Sequence, residues 1–357
     1  MSDILIIGGG IAGISEGARL APHANVTVLE AEDALAYHAS GRSAALYEAN
    51  YGKPSTVALA RASGDFFFNQ TDYLTPRGFL VVAKPGEEAA LAADMEAMHL
   101  DPISVEQALA KVPILNPDAV VGAGYHAEAW DIDTDLMVQD FAKTIRANGG
   151  QIVTGAKVTA ITRDRGWHVV TPKGSFHADI LINAAGAWVD DIATLAGITP
   201  IGFTPNRRSM ARIPAPDGHD VSDWPMFFGV GESWYAKPDA GSLLVSPAEE
   251  HPTTPHDAWA DDMVLAEGIA KYQEAVIPEV TRIQANWAGL RTFSPDRQLV
   301  IGRDPKQPAF FWLGGQGGYG FFTSPAASQL AADLILGRTP DLDASLVAQL
   351  SPERFAS

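Results

Sequence analysis

A glycine-rich turn between two short apolar runs, close to the start of the chain, is the feature that most limits its fold. The run ILII at residues 4–7 is typical of a buried strand, and glycines follow at positions 8, 9, 10, 13 and 17. A second apolar run, VTVLE, ends at Glu30. Strand, glycine turn, helix and strand in this order predict a nucleotide-binding βαβ unit.

The glycines of such a unit have separate physical roles. Gly8 permits the tight turn, and Gly10 lets backbone atoms approach a pyrophosphate. Gly13 and Gly17 let the helix pack closely on the sheet, and the helix N-terminus offers amide donors and a favourable dipole. Glu30 is placed to accept hydrogen bonds from a ribose hydroxyl. The unit indicates an adenine dinucleotide and leaves FAD and NAD open.

Composition narrows the chemistry further. The chain has 357 residues, enough for two domains and a large core. It has no cysteine, which excludes disulfides, iron–sulfur clusters and thiolate nucleophiles. The formal net charge of −18 argues against a nucleic-acid partner or an anionic membrane surface. Any redox chemistry therefore has to come from a bound cofactor.

The sequence also suggests a location. The first residues carry no basic segment, and no run approaches the roughly 20 apolar residues that a membrane-spanning helix needs. We therefore expect no transmembrane segment and a cytoplasmic protein, peripheral to the inner membrane if its electron acceptor is a quinone.

The middle of the chain predicts a helix followed by strands. Residues 131–150 carry Met137, Phe141 and Ile145 at helical spacing, with a cap at Asp133 or Thr134. Residues 151–178 are typical of paired strands, and residues 179–188 of a buried strand that runs into a turn of small residues. Because this last strand completes the sheet of the first unit after a long interval, we expect two interleaved domains.

A second glycine-rich turn lies near the C-terminus. The segment FFWLGGQGGYGFF, residues 310–322, predicts a strand, a turn and then a helix that Thr323 or Ser324 caps. Together with the small, donor-rich segment YHASGRSAAL at residues 37–46, this turn is more than an NAD domain requires.

Nine short motifs, in one order, carry a family resemblance that covers nearly the whole chain. They are IIGGGIAG, YHASGRSAA, DIDTD, NAAGAW, RRS, DWPM, YAKPDAG, WAGLR and GQGGYG. The chain resembles the D-amino-acid oxidase family of FAD-dependent amine oxidoreductases, and within it especially the bacterial D-arginine dehydrogenases. The resemblance implies an α/β fold in which a Rossmann-like FAD-binding domain is interleaved with an α+β substrate domain on a mainly antiparallel sheet. The expected FAD-binding domain comprises residues 1–53, 131–198 and 285–357, and the expected substrate domain comprises residues 54–130 and 199–284.

The resemblance also implies a set of FAD-binding residues. With no cysteine to form a thioether, we expect FAD to be bound without a covalent link unless a histidine forms one. Amides of residues 317–320 at a helix N-terminus would stabilise negative charge on the reduced flavin, although a turn that uses glycine only for close packing is an alternative. The implied residues are Gly8, Gly10, Ile11, Ala12, Gly13, Glu30, Ala31, Ser40, Gly41, Arg42, Ser43, Ala44, Val158, Ala184, Ala185, Gly186, Trp188, Gly289, Arg291, Gly317, Gly318, Tyr319 and Gly320.

Substrate binding is expected to rest on arginines. The resemblance implies that Arg208 and Arg291 bind a substrate carboxylate and that Tyr51 and Tyr235 contact it. A planar guanidinium can hold a carboxylate through two charge-assisted hydrogen bonds. Strand alternation places Arg207 and Arg208 on opposite faces without deciding which face is inward, and the resemblance favours Arg208. For Arg291, a structural salt bridge is the alternative role.

The side-chain pocket departs from that of the D-arginine dehydrogenases. Phe79 stands where those proteins have a glutamate, Leu46 where they have a histidine, and Glu48 where they have a threonine. We expect a pocket for apolar or uncharged side chains, walled also by Phe321 and Phe322 unless these belong to the core. An inward-pointing Glu48 would instead favour a basic side chain. No metal site is expected, because the clustered histidines lack a carboxylate at ligand spacing.

These expectations combine into one activity. The chain is expected to oxidise a D-amino acid by hydride transfer from the α-carbon to flavin N5, with release of an imino acid that hydrolyses to a 2-oxo acid and ammonium. The electron acceptor is expected to be oxygen or a quinone. The alternatives are a secondary-amine oxidase of sarcosine or glycine type, an NAD dehydrogenase, and a non-catalytic FAD-bearing subunit.

Overall fold

A computed structural model describes residues 3–356, so the outermost ends of the expected FAD-binding domain, Met1, Ser2 and Ser357, lie outside the described residues. The described strands are β1 (Asp3–Ile7), β2 (Asn25–Leu29), β3 (Leu46–Tyr47), β4 (Leu74–Pro76), β5 (Phe79–Ala83), β6 (Asp101–Ile103), β7 (Gly122–His126), β8 (Trp130–Ile132), β9 (Gln151–Val153), β10 (Ala160–Arg163), β11 (Trp167–Thr171), β12 (Gly174–Ala178), β13 (Ile180–Asn183), β14 (Thr204–Pro214), β15 (Met226–Gly229), β16 (Tyr235–Asp239), β17 (Ser242–Ser246), β18 (His251–Pro252), β19 (Ala285–Phe293), β20 (Val300–Arg303) and β21 (Phe310–Gly314). The described α-helices are α1 (Ile11–Leu20), α2 (Pro54–Ala62), α3 (Glu88–Met98), α4 (Val105–Lys111), α5 (Thr134–Ala147), α6 (Val189–Leu195), α7 (Asp262–Gln273), α8 (Gly320–Leu336) and α9 (Ala344–Leu350).

The first sheet has six strands in the order β20-β21-β13-β1-β2-β9, and its strands are parallel except for β20. The side chains of β1 alternate between its two faces, as the period of a strand requires. Ile4 and Ile6 pack in the cluster that includes α1, α5 and α8, whereas Leu5 and Ile7 pack with the separate antiparallel sheet β10-β11-β12. This sheet is the predicted Rossmann-like unit.

The second large sheet has the order β18-β14-β17-β16-β15-β5-β7-β6, with β19 paired to β14. Its strand pairs are antiparallel except for β5 with β15. Alternate residues of β5 again enter different clusters, Leu80 and Val82 on one face and Phe79 and Val81 on the other. The predicted fold class, a Rossmann-like unit combined with a mainly antiparallel sheet, is confirmed.

One strand bears on the expected domain boundaries. We assigned residues 285–357 to the FAD-binding domain, yet β19 pairs along its whole length with β14 of the second sheet. The boundaries themselves stay a prediction. Within the described residues, no helix is long and apolar enough to cross a membrane.

The expected cap of the C-terminal helix is wrong. Helix α8 begins at Gly320, so Thr323 and Ser324 lie inside its first turns and are buried. Their hydroxyls donate to the carbonyls of Tyr319 and Phe321. Ser324 thereby satisfies a carbonyl that Pro325, which has no amide hydrogen, leaves without its helical partner. The helix therefore starts directly at the glycine turn.

Candidate cofactor and substrate site

A cavity lies between the carboxyl ends of β1 and β13 and the second sheet. Ligands of open α/β sheets bind at this end of the strands. Most of the predicted site residues line it together: Gly10, Ile11, Ala12, Ser40, Arg42, Ser43, Ala44, Leu46, Glu48, Tyr51, Phe79, Ala184, Gly186, Arg208, Tyr235, Gly289, Arg291, Gly317, Gly318, Gly320, Phe321 and Phe322. The structure thus brings the predicted cofactor and substrate residues to one place.

Other predicted residues lie beside the cavity rather than in its lining, and their contact with FAD stays a prediction. They are Gly8, Gly13, Glu30, Ala31, Gly41, Val158, Ala185, Trp188 and Tyr319. Gly8 and Gly13 allow close backbone packing, since a Cβ on Gly13 would overlap the Gly8 carbonyl and one on Gly8 would overlap the Ala184 carbonyl. Gly8 also has a φ of +113°, which favours glycine.

Glu30 is buried and already holds two backbone amides. Its carboxylate accepts from the Gly9 amide at 2.7 Å and from the Glu32 amide at 2.9 Å. A carboxylate has about four acceptor sites, so a ribose hydroxyl can still be accommodated. The observed bonds fix Glu30 beside the first glycine turn, where the prediction places it.

Residues 39–46, which we call the cradle segment, cover the N-terminus of α1. The Ser40 hydroxyl accepts from the Ile11 amide at 3.0 Å. The Arg42 guanidinium points to protein groups, donating to the carbonyls of Ala258 and Ala288 at 2.9 and 3.0 Å. Its role in the described structure is to tie the cradle segment to β19 and its neighbouring loop.

Lys237, which the sequence analysis missed, holds the other end of the cradle segment. The buried Nζ atom donates to the Ala44 carbonyl at 2.6 Å and lies 2.8 Å from the Asp131 carboxylate. A lysine in the YAKPD strand carries no local signal of such a contact, because Ala44 lies on a different element far away in the sequence.

The cavity offers positive potential at two points, which suits the negative charges of a bound dinucleotide. The N-termini of α1 and α8 both face it, and neither helix has a capping hydrogen bond from its own N-cap side chain. Such ends present amides and positive potential, although at α1 the Ile11 amide is already held by the Ser40 hydroxyl. The cavity could therefore hold the FAD pyrophosphate at α1 and the polar edge of the flavin at α8.

The glycines before α8 are also required for space. A Cβ on Gly318 would lie 2.8 Å from the Arg291 guanidinium carbon, and one on Gly317 would overlap the Phe293 ring. Gly317 has a positive φ of +53°. Close packing, the alternative considered for this turn, therefore operates here. Two amides of the turn are also bonded within the chain, since Gly317 donates to the Thr292 carbonyl at 3.0 Å and Tyr319 to the Gln316 carbonyl at 2.8 Å.

Strand β14 separates the two neighbouring arginines. Arg208 is buried and lines the cavity, whereas Arg207 points to the opposite face toward Glu249 and Asp261 at 3.9 and 3.6 Å. The choice of Arg208 that the resemblance favoured is the one the structure brings to the cavity. Arg291, on β19, lies in the same lining. We call Arg208 and Arg291 the arginine pair.

Glu232 is the main site residue that the sequence analysis missed. Its carboxylate accepts from the Tyr51 hydroxyl at 2.7 Å and from Arg208 at 2.8 Å, and it lies 3.7 Å from Arg291. Both Gly231 and Glu232 have left-handed backbone, with φ of +62° and +54°, and Asp94 accepts from the Gly231 amide. An acid in a short turn gives no periodic signal, so only the folded structure shows this contact.

The charges around Glu232 set its protonation. Burial raises the pKa of Glu232, but Arg291 and Arg208 outweigh it and hold that pKa below its usual range. Burial and the adjacent Glu232 carboxylate raise the pKa of Tyr51 well above its ordinary value. In the described structure the tyrosine is therefore a hydrogen-bond donor and the glutamate is a carboxylate.

The part of the cavity that is expected to receive the substrate side chain is mostly apolar. Phe79 and Phe228 stack at 4.2 Å between ring centroids, and Tyr235 packs on Phe228 at 5.5 Å. Phe321 and Phe322 line the cavity and belong to the core, and their contact with a substrate stays a prediction. Glu48 lines the cavity and is buried, and its carboxylate lies 2.8 Å from His126, a third residue that the sequence analysis missed.

Comparison with known proteins matches the chain to a protein family and to several relatives. The family model described as DAO, FAD dependent oxidoreductase, matches residues 3–334. The chain is 25% identical to the glycine oxidase of Pseudomonas putida, over 95% of this chain and 96% of that protein. It is also 25% identical to the 4-methylaminobutanoate oxidase (formaldehyde-forming) of Paenarthrobacter nicotinovorans, over 96% of this chain but only 44% of that longer protein. The crystal structure of glycine oxidase from Geobacillus kaustophilus superposes with a TM-score of 0.84 at 21% identity, covering 98% of both chains.

Proposed function

The chain belongs to the DAO family of FAD-dependent oxidoreductases, and on this premise we propose that it oxidises the carbon–nitrogen bond of a small amino acid, with D-amino acids of apolar or uncharged side chain as preferred substrates. Its cofactor is FAD, which removes the NAD dehydrogenase from the alternatives. The amino-acid substrate and its configuration are the proposal.

The observation that carries the proposal is the arginine pair. Arg208 and Arg291 approach one carboxylate oxygen of Glu232 from two strands, at 2.8 and 3.7 Å. This geometry supports binding of a substrate carboxylate at this end of the cavity. A substrate carboxylate bound there would project its α-carbon toward the glycine turn before α8, since Arg291 lies directly beneath Gly318. Such positioning contributes to rate as well as to affinity.

In this reaction the residues of the chain bind and position the substrate. FAD, when bound, supplies the hydride acceptor for the α-carbon hydrogen. The arginine pair fixes the carboxylate, and Tyr51 offers a hydroxyl donor beside it. Because the pKa of Tyr51 is raised and that of Glu232 is lowered, neither group is a good base near neutral pH, and the amine proton passes to water.

The apolar wall supports the proposed side-chain preference. Leu46, Phe79 and Phe228 line the cavity and present no acid or amide to a side chain. A methyl- or phenyl-bearing side chain gains roughly 25 cal/mol for each Å² of apolar surface that it buries against them. The preference for the D configuration is supported by the resemblance alone.

A second candidate is oxidation of a secondary amine such as sarcosine. It is favoured by the similarity to proteins named glycine oxidase and 4-methylaminobutanoate oxidase. The arginine pair would bind the carboxylate of either substrate class, so the two candidates differ in what surrounds the nitrogen. The electron acceptor, oxygen or a quinone, and the cytoplasmic location stay predictions.

Flavin reduction under anaerobic conditions tests the proposal. We expect the FAD-loaded protein to lose its visible flavin absorbance on mixing with D-methionine or D-phenylalanine. Faster loss with sarcosine than with any primary amino acid would favour the second candidate. A yellow protein that no amine reduces would be the non-catalytic FAD-bearing subunit.

A further inference from the structure

A buried acid and an imidazole form a close pair at the wall of the cavity. Glu48 directly follows β3, and His126 ends β7. The Glu48 Oε2 atom lies 2.8 Å from His126 Nε2, and the side chains are 3% and 9% exposed. The second carboxylate oxygen, Oε1, accepts from the Asn50 amide at 2.8 Å. Both oxygens of Glu48 thus have a close neighbour in the chain, Oε1 through this hydrogen bond and Oε2 through its contact with His126.

Only one member of this pair borders the cavity. Glu48 and Phe79 are among the described residues that line it, and His126 is not. The His126 ring instead stacks behind Phe79, with centroids 5.7 Å apart and planes within 9°. His126 can therefore influence a bound side chain only through Glu48 or Phe79.

The pair changes what Glu48 offers to a bound side chain. A carboxylate buried without a counter-charge is strongly unfavourable, and it would be relieved by a cationic side chain entering the cavity. With the His126 imidazole 2.8 Å from Oε2 and the Asn50 amide on Oε1, neither oxygen of Glu48 is left open to a cationic side chain. A cationic side chain of the substrate would then lose its hydration on entering the cavity without gaining a free carboxylate as its partner.

We propose that His126 is a positioning residue that sets substrate specificity, because it engages the Glu48 carboxylate and so makes the cavity select uncharged side chains over cationic ones. The inference rests on the proposed function, since it concerns the side chain of the same amino-acid substrate. It assigns the discrimination to a residue that does not touch the substrate.

The experiment compares kcat/KM for D-lysine and D-methionine in four FAD-loaded proteins: the unmodified chain, His126→Asn, Glu48→Gln and the double variant. The His126→Asn substitution removes the imidazole while leaving a polar group, so Glu48 loses its close contact at Oε2. We expect the D-lysine to D-methionine ratio to rise at least about tenfold in His126→Asn. It should return to the unmodified value, or below, in the double variant. His177→Asn, at an exposed position on β12, is the matched control and should leave the ratio unchanged.

The outcomes separate the possible failures. An unchanged ratio in a His126→Asn protein that binds FAD and oxidises D-methionine would overturn the inference. So would an unmodified protein that prefers D-lysine and loses this preference in Glu48→Gln, a result that does not depend on the folding of the His126 variant. If no amino acid reduces the flavin in any of the proteins, the proposed function itself fails, and the specificity inference falls with it.

Discussion

The Tyr51 hydroxyl donates a 2.7 Å hydrogen bond to the Glu232 carboxylate, which also accepts from Arg208. An acid of the chain therefore lies where the proposed substrate carboxylate would bind, and the two carboxylates compete for the same donors. Since Glu232 comes from a turn with two left-handed residues, it can be displaced by rearranging a short segment. The substrate has to displace this contact before it reaches the arginine pair.

We expect Glu232→Gln to bind carboxylate ligands more tightly. The variant removes the competing charge. We expect the binding free energy to become more favourable by about 1 kcal/mol, which lowers Kd roughly fivefold. The affinity for acetate is measured from the change in the flavin absorption spectrum. Glu267→Gln, an exposed change on α7, serves as the control. Weaker acetate binding in Glu232→Gln would mean that Glu232 assists the ligand rather than competing with it.

Replacement of the arginine pair should separate binding of substrate from binding of FAD. Loss of one guanidinium in a partly buried site should weaken transition-state binding by about 2–4 kcal/mol. This loss lowers kcat/KM, mainly through a higher KM. Arg208→Ala and Arg291→Ala should both behave in this way while keeping their FAD. Arg207→Ala is the matched control, because the same strand places Arg207 on the opposite face. Near-normal kcat/KM in Arg291→Ala would assign that residue to the structural salt bridge with Glu232.

The glycine turn before α8 should control FAD binding. The unmodified protein should be yellow and release all of its flavin on acid or heat precipitation, because the chain has no cysteine for a thioether link. Gly317→Ala and Gly318→Ala should lower the FAD content, since their new Cβ atoms would clash with Phe293 and Arg291. Gly86→Ala has a positive φ but open space around it, so it controls for backbone strain alone. Full FAD content in both turn variants, or flavin retained on the precipitate, would contradict this account.

Glu16 should make stability depend on pH. It is fully buried on α1, its carboxyl oxygens have no hydrogen-bond partner among the described residues, and burial raises its pKa well above the ordinary value. A carboxyl with a raised folded-state pKa contributes stability below its unfolded pKa, and this contribution is lost as pH rises toward the folded value. Within that window, each pH unit lowers the free energy of unfolding by about 1.4 kcal/mol.

Glu16→Gln should therefore be more stable than the unmodified protein at pH 8, and the difference should shrink toward pH 4. Urea unfolding at both pH values, with FAD in excess, measures it. Glu96→Gln, an exposed change on α3, is the control. A stability difference that does not change with pH would show that Glu16 does not titrate in this window.

Local patterns predicted the local structure well. The glycine turn after β1 and helix α5, with Asp133 accepting from the Leu136 amide as its cap, are decided by residues close in sequence. Strand alternation correctly separated Arg207 from Arg208, although it left open which of them faces the cavity. That choice depends on which face of β14 meets the rest of the protein, and periodicity does not encode it.

The contacts that the sequence analysis missed all join distant segments. Glu232 is 181 positions from Tyr51, and it meets that residue because β16 and the turn before it lie over the cavity. His126 ends β7 and meets Glu48, which follows β3. Lys237 on β16 reaches the Ala44 carbonyl, 193 positions away in the sequence. A single glutamate, histidine or lysine on these segments has the same local pattern as a solvated side chain, so the partner becomes visible only in the folded chain.

Anaerobic reduction of the bound flavin by a panel of small amines is the most direct test of the central claim. The panel contains D- and L-methionine, D- and L-phenylalanine, glycine and sarcosine, and the rate of absorbance loss is measured by rapid mixing. We predict the fastest reduction with the D enantiomers of methionine and phenylalanine, and slow reduction by all panel members in the Arg291→Ala protein at unchanged FAD content. A flavin that stays oxidised with every member of the panel would contradict the assignment of this chain as an amino-acid oxidising enzyme.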